Sequence, residues 1–531
     1  MIVTHQDGKL RLRFGYNPDT VAQVKAAPDG RRYNPKTKEW ILPASIDNIR
    51  YCIEALGADC PELRTMLAGM ERPLERGNGR KIDWQTKPFK HQVEGLDLIL
   101  SNDALALFWE QGVGKTLPAI KAIEHRLASG AIKRALIVCP KTVITAWVKE
   151  FARYSTIKPA VIGGKDRDGI QQRATVAIIN YDLLRMMHLG GWDMVVFDES
   201  QYIKGHTAQR SKAAYALARS ATYRLLLTGT PVAKDAGDLF GQFKVLDETI
   251  FGPSFYAFRA KYFVNLGRNF PDWRIRPDAT DEIKRKVALR SQRVRKADVL
   301  DLPDKLYQVR TIEMAKEQAR VYRELERHLL AEIEGITVTV PYLITRMMRL
   351  NQVCSGFLHH EDRNLELENP KLAELKQIID DYDGAVVVWA VFLHDIAAIK
   401  AAYPGALVID GSKTTEDRQQ AIDDFQAGGA KVMVLQQQAG AVGITLTAAH
   451  LSIFYSRNYS LLDRVQAEDR LHRIGQRNPV TYIDLVMADS IEQDIVEALE
   501  EKRMVASYLQ GDIENLIVER FRSKSGKTAD R

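Results

Sequence analysis

Three groups of residues have the types and spacing to do chemistry. The first is Glu110-Gln-Gly-Val-Gly-Lys-Thr116. Glycines let a backbone wrap close to phosphate, where a side chain would block the approach. The N–H groups that open a following helix point at such an anion, and the helix dipole favours it. Lys115 would place a point charge on β and γ phosphates, and Thr116 would offer its hydroxyl to Mg²⁺. The front of the full phosphate-loop pattern is missing, because Trp109 stands where the first glycine would be. The same residues also suit a plain strand-to-helix turn. The second group, Asp198-Glu199, follows the apolar run Met194 to Phe197. Buried there unpaired, two carboxylates would be costly, and a bound Mg²⁺ removes that cost. Asp198 would hold the metal through water, and Glu199 would orient and polarise an attacking water. An exposed acidic helix start is the plain alternative. The third group is Arg470 and Arg473, three apart and so on one face if the stretch is helical. They suit a γ-phosphate clamp; seen in isolation, such a pair reads as a surface salt-bridge helix.

These residues need elements to position them. Residues 88–245 alternate apolar runs with helical segments, the sign of a parallel sheet with crossover helices. Ligands of such sheets sit beyond the carboxyl ends of the strands. Those ends carry Lys141-Thr142, Asn180-Tyr181, Asp198-Glu199 and Thr228-Gly229-Thr230. Residues 246–365 lose the strand rhythm and read as helical insertions and a linker. Residues 366–490 restart it, with no second phosphate loop. A C-terminal brace helix and polar tail fill 491–531. Ahead of all this, residues 1–75 form a small α+β unit and 76–87 a linker.

Composition sets the bounds. The chain has 531 residues, 45% of them apolar, enough for several large cores. No run approaches a membrane span, and Met1 to Arg13 lacks the apolar core of a signal peptide. The cysteines, Cys52, Cys60, Cys139 and Cys354, have no paired spacing. They read as buried thiols in a reducing compartment, hence a cytoplasmic protein, nucleoid-associated if bacterial or in a host cytoplasm if viral. The net charge of +7 is a mild bias toward polyanions. In the N-terminal unit, Tyr33 and Trp40 stand among Arg31, Arg32, Lys36 and Lys38. They are either a nucleic-acid surface or a small core with solvated charges. The basic run from Lys284 to Lys296 either faces a nucleic-acid backbone or is a solvated helix face.

In order, Gln92, Gly112-to-Thr116, Asp198-Glu199, Thr228-Gly229-Thr230, the Gly443 segment and Gln466-to-Gln476 resemble the superfamily-two helicase-like ATPases. The string Gln-Ala-Glu-Asp-Arg-Leu-His-Arg-Ile-Gly-Gln narrows the resemblance to the Swi/Snf family of duplex-DNA translocases. Lys296-to-Pro303, Leu350-to-Cys354 and Asn369-to-Leu372 agree with it. Tyr33 to Trp40 resembles, over a shorter stretch, the HARP module of annealing helicases. The resemblance implies two RecA-like lobes, parallel sheets with helices on both faces, with ATP between them. It assigns Gln92 to adenine; Gly112, Gly114, Lys115, Thr116 and Gly443 to the nucleotide; and Thr116 and Asp198 to Mg²⁺. Glu199 would serve hydrolysis, and Arg470 and Arg473 would act as fingers from the second lobe. Thr228 and Gln476 would couple nucleotide state to lobe closure. Lys141, Thr142, Asn180, Tyr181 and Thr445 match segments that touch the tracked DNA strand.

Two departures stand out. Trp109 replaces an acidic residue often found ahead of the phosphate loop, and Gln201 stands where a His is usual. The carboxylates are intact, so the second departure bears on coupling rather than hydrolysis. The implied activity is an ATP-dependent duplex-DNA translocase that remodels forks or reanneals strands. The alternatives are a partner-directed remodeller, whose N-terminal unit binds a protein such as RNA polymerase, and an ATP-gated DNA clamp.

Overall fold

Uninterrupted apolar strands need cover on both faces, and the first large sheet shows this. The strand Ala104–Trp109 is buried along its whole length, as are Ala135–Cys139 and Met194–Asp198. In this computed structural model the chain divides into two compact units, 1–299 and 300–531. The structure describes residues 1–58, 60–77, 82–232, 237–266, 273–335, 340–360, 363–440 and 444–505.

The first unit opens with a four-stranded antiparallel sheet: β1 (Ile2–Gln6), β2 (Lys9–Arg13), β3 (Arg32–Asn34) and β4 (Glu39–Pro43), in the order β1-β2-β4-β3. Helices α1 (Pro18–Lys25), α2 (Ile46–Glu54) and α3 (Pro61–Met70) accompany it. Leu10, Leu12, Val24, Leu42, Ile49, Cys52 and Leu63 form its core, with Trp40 packed against them. Tyr33 lies against the Trp40 ring, 5.2 Å between centroids, yet is 45% exposed. The two aromatics therefore divide, one packed on the core and one facing solvent.

Next comes a seven-stranded parallel sheet. Its strands are β5 (Ala104–Trp109), β6 (Ala135–Cys139), β7 (Ala160–Val161), β8 (Val176–Asn180), β9 (Met194–Asp198), β10 (Tyr223–Leu227) and, after a short β11 (Phe263–Asn265) and β12 (Trp273–Ile275) pair, β13 (Ser291–Val294). The order is β13-β5-β10-β9-β6-β8-β7. Helices α4 (Lys90–Ser101), α5 (Thr116–Ala128) and α6 (Ile144–Tyr154) belong to this sheet. The second unit holds β14 (Lys305–Ile312), the hairpin β15 (Phe357–His360) and β16 (Arg363–Glu366), and β17 (Val386–Ala390), β18 (Leu407–Ile409), β19 (Val432–Gln436), β20 (Leu451–Phe454) and β21 (Val480–Met487). Its parallel sheet runs β14-β21-β20-β17-β19-β18. Both large sheets are thus of the doubly wound α/β kind. Among the described residues, no helix is long and apolar enough to cross a membrane.

Residues 246–365 differ from the expectation of helices and linker alone, because β13 and β14 each complete a sheet edge. Part of the basic run has a different occupation from either reading of it, while Lys284, Arg285, Arg293 and Arg295 are exposed. Lys286 is buried, pairs with Asp47 at 2.8 Å and donates to the Ile250 carbonyl at 2.9 Å. Arg290 pairs with Asp247 at 2.9 Å and donates to the carbonyls of Met70 and Arg72, at the end of α3. A cation suits the carbonyl end of a helix. Lys261 also reaches Asp47, at 2.7 Å, and the N–H of Ile46 donates to the Thr249 carbonyl. These cations fasten the N-terminal module to the rest of its unit. Of the aromatics between Phe251 and Trp273, Phe251, Phe258, Tyr262 and Phe263 are buried together, and Tyr256 faces solvent.

Candidate active site

The phosphate loop joins β5 to α5, and Gly112 and Gly114 take φ of +80° and +83° there, a region that favours glycine. Two side chains of α4 hold the loop from behind. Gln92 donates to the Gly114 carbonyl at 3.1 Å and accepts from the Phe89 N–H at 3.0 Å. His91 donates from Nε2 to the Val113 carbonyl at 2.8 Å. Lys115 lies back across the loop, its ammonium on the carbonyls of Trp109 (2.9 Å) and Glu110 (3.2 Å). Trp109 is a core residue of the sheet. Its ring is fully buried, and its indole N–H donates to Gln292 of β13 at 3.0 Å. The ring needs Gly95 opposite it, where a Cβ would come within 2.4 Å. Glu110 is held from the same side: its N–H donates to the Val294 carbonyl, and its carboxylate accepts from the Lys296 N–H at 2.9 Å.

Asp198 ends β9 and is buried. Its Oδ2 accepts from the indole N–H of Trp147 at 2.8 Å, and its Oδ1 from the Glu199 N–H at 2.9 Å. Burial first, and Glu199 second, push its pKa up to about 6, while Trp147 and the Lys115 charge pull the other way. Glu199 sits in the left-handed region, φ +51° and ψ +55°, a strained conformation for a side chain of this kind. Gln201 then forms a relay. Its amide donates to the Glu199 carboxylate at 2.8 Å, and its carbonyl accepts from the Thr228 hydroxyl at 2.7 Å. Thr228 is wholly buried and also accepts from the Thr230 N–H. Gly229 must be glycine, since a Cβ would meet the Gln111 backbone nitrogen at 2.9 Å.

Sheet order therefore sets a row of strand ends: phosphate loop on β5, Thr228 on β10, Asp198-Glu199 on β9, Lys141-Thr142 after β6 and Asn180 on β8. Lys141 is exposed and Thr142 half-buried. Asn180 uses its side-chain oxygen to cap the short helix Tyr181–Leu184. Tyr181 is not at the surface: it is 3% exposed, and its hydroxyl donates to the Asp198 carbonyl at 2.8 Å. Trp147 is the member that sequence reasoning left without a role, and Gln201, read there as a departure bearing on coupling, touches both Glu199 and Thr228. Trp147 lies 51 positions from Asp198, and only the fold brings them together.

In the second unit the helix Leu461–Leu471 carries Arg470 but ends before Arg473. The two are brought together by a shared acceptor instead of a helix face: both guanidiniums donate to the Ile444 carbonyl, at 3.4 and 3.1 Å. Gln476 is buried and knits this turn, donating to the Ala449 carbonyl and accepting from the N–H groups of Arg477 and Asn478. Thr445 stands half-buried beside Ile444. Gly443 lies outside the described residues.

A divalent cation fits the first unit's site. Among the described residues, no cluster of three or more His, Cys, Asp or Glu makes an all-protein cage. Mg²⁺ asks for less, one or two carboxylates with the remaining positions filled by water and substrate phosphates. Buried Asp198, with Glu199 beside it, is the carboxylate that a cation would relieve.

The SNF2-related domain model matches residues 78–357, and the helicase conserved C-terminal domain model matches residues 370–475. The chain belongs to the SNF2-related family, the helicase-like DNA-dependent ATPases. Among its relatives is a SWI/SNF-related matrix-associated actin-dependent regulator of chromatin subfamily A-like protein 1 homolog of Caenorhabditis elegans, 25% identical over 93% of this chain and 74% of that protein. The ISWI chromatin-remodeling complex ATPase ISW1 of Saccharomyces cerevisiae is 26% identical over 79% of this chain, which spans only 40% of its length. The solved Sulfolobus solfataricus SWI2/SNF2 ATPase core in complex with dsDNA is 23% identical, covering 81% of this chain and 94% of its own, with a TM-score of 0.41.

Proposed function

We propose that this chain is a motor that couples ATP hydrolysis to movement along duplex DNA, and so remodels forks or reanneals separated strands. The observation that carries the reading is the row of strand ends, which sets phosphate loop, coupling threonine, carboxylates and Lys141-Thr142 side by side. Gln92 keeps one donor and one acceptor position beyond its two bonds, enough to read an adenine edge. Lys115 exchanges its two carbonyls for β and γ phosphates. Thr116 and Asp198 hold Mg²⁺, which supplies neutralisation of charge on the phosphate oxygens. Glu199 orients the attacking water, and the Gln201 relay ties that carboxylate to Thr228. Arg470 and Arg473 serve the γ-phosphate. Lys141, Thr142, Asn180 and Thr445 grip the DNA backbone, so the grip is sequence-independent and weakens with salt. Tyr33 with Arg31 and Arg32 is the face of the N-terminal module offered to a fork.

ATP hydrolysis measured with duplex, forked and single-stranded DNA and with RNA, at two salt concentrations, tests this. Stimulation by duplex or forked DNA that is lost at high salt, and that vanishes in Lys115→Ala, is expected. Retained hydrolysis in Lys115→Ala would overturn the site. A fork preference abolished by Tyr33→Ala with Arg32→Ala assigns the module. Low turnover with every nucleic acid counts against the motor and favours a protein-directed remodeller.

A further inference from the structure

Asp198 is held from two neighbouring strand ends. Trp147 donates its indole N–H to Oδ2 from α6, and Tyr181 donates its hydroxyl to the main-chain carbonyl from the end of β8. We propose that Trp147 is a positioning residue for Asp198, through which the helix that follows Lys141 and Thr142 fixes the carboxylate that faces the metal. The inference rests on the proposed reading of Asp198 as the metal-side carboxylate.

The geometry carries it in three steps. Trp147 stands in the first turn of α6, which continues directly from the turn Lys141–Val143. The chain that would meet DNA and the donor that meets Asp198 are therefore one rigid piece, six residues apart. Trp147 is 1% exposed and packs on Phe151, so its indole has no freedom to turn away. With Oδ1 on the Glu199 N–H and Oδ2 on Trp147, both torsions of the Asp198 side chain are fixed. Outer groups that hold a metal-ligating carboxylate in this way commonly change metal affinity by ~10–100-fold when removed. A buried indole N–H also needs some acceptor, and simple satisfaction of that need is the competing explanation. The two differ in what happens at the metal when the donor goes.

The test compares Trp147→Phe with Trp147→His. Both shrink the ring, and only the His variant keeps a ring N–H donor at the place of the indole N–H. Mn²⁺ affinity is read by electron paramagnetic resonance in the presence of a non-hydrolysable ATP analogue, with duplex DNA affinity by fluorescence anisotropy alongside. The expected result is a roughly tenfold loss of Mn²⁺ affinity in the Phe variant and a smaller loss in the His variant, with unchanged DNA affinity in both. Wild-type Mn²⁺ affinity in the Phe variant overturns the inference. Should the Phe variant fail to fold, the His variant decides: affinity near wild type sustains the role of the donor, and a tenfold loss refutes it. Asp198→Asn separates the levels. If that variant binds Mn²⁺ with nucleotide as well as wild type does, the reading of Asp198 itself fails; if it loses the metal while Trp147→Phe keeps it, only the role of Trp147 fails.

Discussion

Asp395 shows what one carboxyl does to a core. It is wholly buried, accepts from the hydroxyls of Ser456 (2.6 Å) and Ser355 (3.2 Å), and its Oδ1 has no hydrogen-bond partner among the described residues. Burial pushes its pKa up to about 7, against the pull of the Ser456 hydrogen bond, the Lys371 charge and Ser355. The unfolded chain releases that proton near 3.8. Between those two values the folded protein holds a proton that the unfolded chain has lost, so stability falls as pH rises through the window. Above pH 7 the full cost of the buried charge is present. Asp395→Asn removes the charge at every pH. The stability difference between the two proteins is therefore expected to shift by about 1 kcal/mol between pH 8 and pH 6, in favour of the wild type at the lower pH. Urea unfolding at both pH values checks this. A difference that does not change with pH would mean that Asp395 does not titrate there.

At the scale of elements, the sequence was most legible where burial was complete. β5, β6, β8, β9 and β10 show as apolar runs because central strands of a parallel sheet are covered on both faces. β13 and β14 did not show. β13 is Ser-Gln-Arg-Val, and β14 is exposed along most of its length, so an edge strand carries no such run. The site was legible to the same degree: phosphate loop and carboxylates by type, Gln201 as a departure from the usual His, and Trp147 only by contact. Helix–turn packing beside the carboxylates is another feature that no spacing reveals. Gly241, in the helix Asp238–Leu246, lies against the short turn Ser200–Ile203 that follows Glu199. A Cβ there would stand 2.2 Å from the Lys204 carbonyl oxygen and 2.6 Å from that of Ile203. These are backbone atoms and cannot rotate aside. Gly241→Ala is expected to cost about 1–3 kcal/mol in thermal unfolding and to lower hydrolysis, because the displaced turn carries Gln201 and its hold on Glu199. An alanine variant with wild-type melting would show that helix and turn separate freely.

At the scale of the whole chain, the question is whether the N-terminal module is an appendage or part of its unit. Its buried cluster answers in energetic terms. Asp47 and Lys286 are each about 95% enclosed, so removing the partner of either leaves a buried charge less well compensated. Burial works to raise the Asp47 pKa, but Lys286 and Lys261 overcome it and hold the carboxyl below its ordinary value. This contribution is accordingly present above the unfolded carboxylate range and is lost as pH falls through the folded value. The two partners are not equivalent. Without Lys286, Asp47 keeps Lys261 at 2.7 Å; without Asp47, Lys286 keeps the Ile250 carbonyl, Glu282 at 3.9 Å, the Asp29 charge and the faces of the Phe251 and Tyr262 rings, a weaker set than a close carboxylate. Asp47→Asn is therefore expected to destabilise the unit by about 3 kcal/mol, and Lys286→Met by clearly less. In a chain lacking residues 1–75 the ammonium loses its cover and regains water, so Lys286→Met should there be nearly silent. Thermal unfolding of the four proteins checks this, and equal effects of Lys286→Met with and without the module would place the cluster outside the module's attachment. Deleting the module uncovers Lys286 and removes the Met70 and Arg72 carbonyls that Arg290 serves, so a deletion alters the stability of the rest of the unit together with any DNA contact. Substitutions on the exposed face at Tyr33 and Arg32 leave the cluster intact, and they are the changes that can assign a role to the module itself.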